Sequence, residues 1–133
     1  MPAAVIQQAR RFIIVGAIGF LVDGGILTLL HGIFEFSLLH ARLWSFSAAV
    51  TLTWYLNRQH TFAASKDVHA VHEWGRYAIV NSIGALLNLG IFFWLTYSFD
   101  ILATWPIIPL AIAASIALIF NFFASRHLAF RRN

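Results

Sequence analysis

The chain has 133 residues, of which 60% are apolar and only 11% are charged, and it contains no cysteine. A soluble domain carries about 25% charged residues, so this composition excludes an ordinary water-soluble fold, and the lack of cysteine excludes disulfides and thiolate metal sites. A mean hydropathy of +0.77 indicates a membrane protein. The net charge of +4 does not indicate nucleic-acid binding, because the basic residues fall at the ends of apolar runs.

Four apolar runs follow one another along the chain, each about long enough to cross a hydrocarbon core of about 30 Å as a helix. They cover about residues 12–34, 38–56, 77–99 and 105–124. The second run is the least clear, because His40 and Arg42 lie near its start. We therefore predict an all-α membrane protein with four transmembrane helices, forming a single domain over residues 1–133.

The lysines and arginines predict how these spans are oriented. Eight of the nine fall in the N-terminal segment, in the central loop 57–76 or in the C-terminal tail, namely Arg10, Arg11, Arg58, Lys66, Arg76, Arg126, Arg131 and Arg132. Only Arg42 falls at the opposite ends of the spans, near the start of the second apolar run. By the positive-inside rule, both termini and the central loop lie in the cytoplasm, and short outer turns lie near residues 35–42 and 100–104.

The two halves of the chain resemble each other. A shift of 65 residues aligns RFIIVGAIGFLVDGG (11–25) with RYAIVNSIGALLNLG (76–90), and after three extra residues TWYLNRQHTF (53–62) aligns with NFFASRHLAF (121–130). Repeat 1 thus covers about residues 11–62 and repeat 2 about residues 76–130. Because each copy holds two spans, both copies enter the membrane in the same direction, which predicts two parallel hairpins related by a pseudo-two-fold axis along the membrane normal. We expect the functional site on that axis.

The alignment pairs Asp23 with Asn88, each about 18 Å from the arginine that opens its span and so near the bilayer midplane. An acid at a helix centre costs about 2.5 to 3.5 kcal/mol on insertion scales, so Asp23 should face the bundle and either hold a partner or line a wet cavity. Partners at comparable depth are Asn88, Ser45, Ser47 and Ser115. The pair could lock the hairpins together, or it could mark a substrate or proton path.

Two further sets of residues complete the candidate site and its packing. Asn57 and Asn121 add intramembrane polar groups near the inner ends of the second and fourth spans. Small residues in the first and third spans predict close helix packing, namely Gly16, Gly19, Gly24, Gly25, Gly84 and Gly90.

One arginine lies at the inner end of each span, and these are Arg11, Arg58, Arg76 and Arg126. A ring of guanidinium groups can bind a lipid phosphate bidentately, although ordinary snorkelling would also place arginines there. The repeated Arg-x-x-x-Phe spacing would seat Phe62 and Phe130 at the membrane interface beside the headgroup.

Catalysis is not indicated. No nucleophile, base and orienting group occur at a suitable spacing, and no glycine-rich phosphate loop is present. The six histidines are scattered rather than paired as metal ligands. We expect neither enzyme activity nor a metal or other cofactor.

The opening RFIIVG with an acid later in the same span, the NRQHTF after the second span, the RYAIVN and the closing SRHLAF together resemble the GtrA-like proteins, over nearly the whole chain from residue 11 to 130. These are small four-span membrane proteins linked to polyprenyl-phosphate sugars. The resemblance implies that the protein helps to move such a lipid-linked sugar across the cytoplasmic (inner) membrane, for glycosylation of surface polysaccharides. A related region is attached to some dolichyl-phosphate mannose synthase-like glycosyltransferases, so a separate glycosyltransferase partner is expected here.

The leading hypothesis is therefore a flippase, with the phosphate at the arginines, the sugar near Asp23 and Asn88, and the prenyl chain in lipid. Because Asn88 replaces an acid and Ser125 replaces Asn57, the two halves are not interchangeable, and the half with Asp23 and Asn57 is favoured. A homo-oligomer would enlarge the path. Two alternatives stay open: a non-transporting adaptor that recruits or stabilises a glycosyltransferase, and a proton-coupled exporter of small cations.

Overall fold

The computed structural model describes residues 2–63, 69–105 and 107–131. In this part of the chain the structure is helical and has no β-strand, which confirms the all-α prediction. The α-helices are α1 (Pro2–Leu27), α2 (Leu38–Leu56), α3 (Ala70–Ser98), α4 (Asp100–Thr104) and α5 (Ile107–Ala124). Three π-helical turns continue α1, α2 and α5, and they cover Thr28–Ile33, Asn57–Thr61 and Ser125–Ala129.

Three helical segments are long and apolar enough to cross a membrane, and they cover Ala3–Ile33, Ala70–Ser98 and Ile107–Ala129. The second predicted span matches α2 in its boundaries, but this helix of 19 residues is not among the three. Polar side chains, including His40 and Arg42 in its first turns, lower its hydropathy. The structure therefore supports three spans by length and composition, and a fourth span at α2 stays a prediction.

The connections between the spans differ from the prediction. The prediction of an outer turn at residues 35–42 is wrong for residues 38–42, because α2 already begins at Leu38. The side chain of Ser37 caps this helix by accepting a hydrogen bond from the backbone N–H of His40. The turn predicted at residues 100–104 is the short helix α4. The central loop is shorter than predicted, because α3 begins at Ala70. Lys66 and Arg132, used above to predict the orientation, lie outside the described residues.

The long helices pair into two hairpins, in which α1 packs along α2 and α3 packs along α5. Fewer contacts join the hairpins to each other, between α2 and α3 and between α1 and α5. The buried core that joins them lies at the end of the bundle that carries Arg11, Arg58, Arg76 and Arg126, which we call the arginine end. Its buried members are Phe12, Val50, Phe62, Tyr77, Phe122, Ala129 and Phe130.

Phe62 and Phe130 form the centre of this core. Their rings stack at a centroid distance of 4.8 Å, and the residues are 1% and 0% exposed. Phe12 packs edge-on against Phe62 at 6.3 Å, and Tyr77 packs edge-on against Phe130 at 5.7 Å. The prediction that the Phe62 and Phe130 rings lie beside a lipid headgroup is therefore wrong, because both are enclosed by protein. Each residue closes a π-helical turn through its own N–H, and its ring then packs between the hairpins, where stacked and edge-on contacts with other rings stabilise it.

The glycine prediction holds at two positions and fails at four. A Cβ built on Gly19 would collide with Cγ2 of Thr53, and one built on Gly84 would collide with the side chain of Asn121. At both places the backbone of one helix approaches a side chain of its hairpin partner. The other four glycines of the first and third spans would meet no atom within 4 Å, namely Gly16, Gly24, Gly25 and Gly90.

Gly19→Ala is expected to destabilise the protein by about 1–3 kcal/mol, the usual cost of overpacking. Thr53 has a stiff side chain, and rotating it away from the new methyl group would break its hydrogen bond with Tyr77. Gly16→Ala, one turn away in α1, is the matched control and should be neutral or stabilise by about 0.5–1 kcal/mol. Unfolding free energies in detergent, titrated with denaturant, measure both. Equal stability of the two variants would contradict the close approach at Gly19.

Candidate functional site

Two arginines bind carbonyl groups at the end of the partner helix in their own hairpin. Nη1 of Arg11 donates to the carbonyl of His60 at 2.8 Å. Arg76 donates to the carbonyls of Leu128 and Ala129 at 3.0 and 2.9 Å. The last carbonyls of a helix lack partners within the helix and carry its negative dipole end, so a guanidinium group is well suited to both. These contacts fix the ends of the two π-helical turns.

The other two arginines join one hairpin to the other. Nη1 of Arg58 donates to Oε1 of Glu73 at 2.8 Å, and the side chain of Glu73 is fully buried while that of Arg58 is 16% exposed. The indole N–H of Trp54 donates to the same oxygen at 3.0 Å. Nε of Arg126 donates to Oε1 of Gln8 at 2.9 Å. The end of each hairpin is thereby tied to the first helix of the other hairpin.

Through these contacts, four arginines link the ends of the helices around the bundle. We call them the arginine ring: Arg11, Arg58, Arg76 and Arg126. The acceptors correspond under the sequence alignment, His60 with Leu128 and Glu73 with Gln8. Four guanidinium groups and the Glu73 carboxylate leave the ring with a net charge of +3. A guanidinium carries five N–H donors, more than the contacts named above use at Arg11 and Arg126, so the ring can also bind an anion.

A cavity of about 450 Å³ lies between the two hairpins, beside the aromatic core. Its wall comes from α1, α2, α3 and α5 and includes all four intramembrane polar residues selected from the sequence, Asp23, Asn57, Asn88 and Asn121. Small-molecule sites commonly measure about 300–1,000 Å³. The sequence reasoning missed further polar residues of the wall, and these are Thr53, Tyr77 and Asn81.

The polar groups around Asn57 are bonded to one another. The amide nitrogen of Asn57 donates to the Tyr77 hydroxyl at 3.1 Å, and its amide oxygen accepts from Thr61 at 2.8 Å. The Tyr77 hydroxyl in turn donates to Oγ1 of Thr53 at 2.9 Å. Both ends of the Asn57 amide are therefore occupied within the chain, so this residue stabilises the wall of the cavity.

The corresponding place in the second hairpin is bonded differently. Asn121 and Ser125 align with Thr53 and Asn57, and Phe12 stands where the alignment has Tyr77, so no phenol hydroxyl is available. Among the described residues, buried Oδ1 of Asn121 and Oγ of Ser125 have no hydrogen-bond partner. An unsatisfied buried polar group costs about 1–3 kcal/mol. Hydrogen-bonding capacity is thus left over at Asn121, which also lines the cavity.

Asp23 is paired with Arg42, whose Nη1 lies 3.1 Å from both carboxylate oxygens. The prediction that Asn88 or a serine at comparable depth would hold Asp23 is therefore wrong. The serine hydroxyls are occupied by backbone carbonyls within their own helices, and these are Ser45, Ser47 and Ser115. Asn88 lines the same cavity as Asp23 without forming a hydrogen bond to it in the described structure.

Two charged partners escaped the sequence reasoning. Glu73 would have been found by extending the 65-residue shift upstream of the arginines, where it aligns with Gln8. The sequence reasoning did not consider Arg42 as a partner, although an acid in a membrane span usually pairs with a basic residue. Within the described residues, no group of three or more His, Cys, Asp or Glu side chains is arranged to hold a metal ion.

The helices, the arginine ring and the cavity between the hairpins define a small membrane domain. Residues 11–132 match the family described as the GtrA/DPMS transmembrane domain. The chain belongs to this family, which confirms the GtrA-like resemblance. The family indicates a membrane protein of polyprenyl-phosphate sugar metabolism, and its membrane domain is typically non-catalytic. No curated protein sequence matches the chain.

Arg58→Gln is expected to destabilise the protein by about 3 kcal/mol, because it removes the guanidinium that donates to the buried Glu73 carboxylate. The matched change Arg126→Gln should cost about 1 kcal/mol, because Gln8 is neutral. The double variant Arg58→Gln, Glu73→Gln should recover most of the loss. Denaturant titration in detergent measures all three. Similar losses in both single variants, without recovery in the double variant, would show that the ion pair does not have this role.

Proposed function

We propose that this protein flips a polyprenyl-phosphate-linked sugar across the cytoplasmic membrane, for the glycosylation of cell-surface polysaccharides. The observation that carries the proposal is the cavity of about 450 Å³ between the hairpins, whose largely apolar wall includes polar side chains from both hairpins, with a ring of net positive charge at one end. A sugar cannot cross hydrocarbon alone, because each unpaired polar group costs several kcal/mol. Polar side chains inside the bundle lower that cost, while the prenyl chain stays in lipid.

The proposal includes four spans, with α2 as the second and with both termini and the arginine ring on the cytoplasmic side. Arg11 near the start of α1 contacts His60 after the end of α2, so the chain returns to the arginine end before α3 begins. If α1 crosses the membrane, α2 must cross it in the opposite direction. The excess of basic residues at this end favours a cytoplasmic location.

We also propose that the two hairpins are repeats related by an axis along the membrane normal. The matched arginine contacts support this interpretation, as does the stacking of Phe62 on Phe130, two residues that align with each other. The axis would pass through this stack and along the cavity. A substrate on the axis contacts both hairpins, which explains why the polar wall residues come from both.

The substrate would be held in two places. The phosphate binds the arginine ring, mainly through Arg11 and Arg126, because Arg58 is engaged with a buried carboxylate. The sugar hydroxyls bind the polar wall, where Asn88 and Asn121 can both donate and accept. The net charge of the ring suits a phosphodiester, and bidentate guanidinium contacts would select phosphate over other anions.

The protein would act in the inner membrane beside a separate glycosyltransferase that makes or uses the lipid-linked sugar. A homo-oligomer would extend the polar path beyond one cavity. The adaptor alternative is favoured by one observation, the engagement of every ring arginine in contacts within the chain. A cation exporter is disfavoured, because Arg42 already neutralises the Asp23 carboxylate that would bind the cation or proton.

Transbilayer movement of a polyprenyl-phosphate hexose in proteoliposomes tests the proposal. Asn88→Leu keeps the branched side-chain shape but removes its capacity for hydrogen bonds, and we expect movement to slow about tenfold, the effect of about 1.4 kcal/mol on the barrier. Ser115→Ala is the control, because this hydroxyl binds a backbone carbonyl and lies outside the cavity wall. Movement no faster than in empty vesicles, for several hexoses and with folded protein, would exclude an autonomous flippase and favour the adaptor.

A further inference from the structure

The ion pair of Arg42 with Asp23 lies at the end of the cavity opposite to the arginine ring. Arg42 and Arg58 are 16 residues apart on one helical segment, which is about 24 Å along the axis. Asp23 is about 18 Å from Arg11 along α1, so it lies nearer to the arginine end than Arg42 does. The long side chain of Arg42 covers the distance between the two depths. Every other lysine and arginine of the described residues lies toward the arginine end or in the terminal segments.

This pair is not needed to hold a hairpin together. At the matched positions the second hairpin has Asn88 and Leu110, which cannot form an ion pair. Its helices α3 and α5 nevertheless pack together as extensively as α1 and α2 do. A membrane protein that keeps two charges at this depth without a packing requirement keeps them for another reason, since charged side chains inside a span are costly.

The geometry of Arg42 leaves most of its donors available. A single nitrogen, Nη1, contacts both carboxylate oxygens, instead of the parallel two-nitrogen fork of a strong arginine–carboxylate pair. Among the described residues, its Nε and Nη2 have no hydrogen-bond partner. The side chain is 46% exposed, whereas that of Asp23 is 22% exposed. An anion can therefore approach the open side of the guanidinium.

We infer that Arg42 is a second phosphate-binding residue, which takes the phosphate of the lipid at the far end of the path, and that Asp23 is its resident counter-ion. The inference rests on the proposed function for its ligand, a polyprenyl phosphate. Asp23 competes with the phosphate for Arg42 and so promotes release of the lipid. When displaced, its carboxylate remains among the polar side chains of the cavity wall that it already lines.

The ligand chemistry follows from the charges. A sugar-linked polyprenyl phosphate is a diester with one negative charge, which matches the one carboxylate that it would replace. The same chemistry fits inorganic phosphate, so the test must separate a lipid headgroup from the free anion. Because Leu110 stands at the matched position of the second hairpin, Arg42 has no counterpart there at this end of the bundle.

Equilibrium binding of a radiolabelled short-chain polyprenyl-phosphate hexose, the singly charged diester, to the protein in discs of neutral lipid tests the inference. Asp23→Asn removes the competing carboxylate and should tighten binding about tenfold, which corresponds to about 1.4 kcal/mol. When Arg42→Leu is added to Asp23→Asn, this gain in affinity should be lost. The double variant Asp23→Asn, Arg42→Leu reproduces the residues of the second hairpin, so it should fold with an unchanged melting temperature and bind no more tightly than Arg42→Leu.

Three outcomes would overturn the inference. Binding that is unchanged or weaker in Asp23→Asn, in protein shown to be folded, would make the pair a structural link. An equal gain in Asp23→Asn with and without Arg42 would place the phosphate elsewhere. Full competition by inorganic phosphate at concentrations comparable to the lipid would identify a free-anion site. Failure of transport in vesicles, with the binding pattern intact, would reject the flippase while leaving Arg42 as a phosphate-binding residue.

Discussion

The rest of the structure depends on how the two hairpins are closed at the arginine end. The last backbone carbonyls of a helix have no partner within the helix, so they must find one elsewhere. Here Arg11 and Arg76 donate to those carbonyls at the π-helical turns after α2 and α5. The turns are thereby held closed, and Phe62 stacks on Phe130 between them. A guanidinium serves this purpose better than an ammonium, because its fixed fork can reach adjacent carbonyls together.

The candidate site results from this connection of the two hairpins at the arginine end. Because the hairpins are joined mainly at the arginine end, their helices leave a cavity between them, and the polar residues of both hairpins line it. The same arginines that close the helix ends carry the positive charge beside the cavity. The proposed function therefore combines a structural and a binding role in one set of side chains, and the buried Glu73 reduces the net charge of that set.

The two hairpins share a backbone plan but differ in their polar contacts. Asn57 is enclosed in a hydrogen-bonded network with the Tyr77 hydroxyl, whereas Asn121 keeps an unpaired oxygen beside the cavity. The ion pair of Asp23 with Arg42 occurs in the first hairpin alone. Such differences make the two sides of the axis unlike, because a symmetric pair of hairpins would present the same groups on both sides.

The sequence by itself determined that the chain is helical, that lipid is its solvent and which family it belongs to, because hydropathy, charge placement and the repeated motifs need no tertiary contacts to be read. It also identified four of the seven polar residues that line the cavity, since an amide or acid in an apolar span must face the protein. Only the tertiary structure decided the partners. In a span that is apolar on every side, the pattern does not show which face is buried, so the burial of Phe62, the pairing of Arg58 with Glu73 and that of Asp23 with Arg42 depended on how the helices pack.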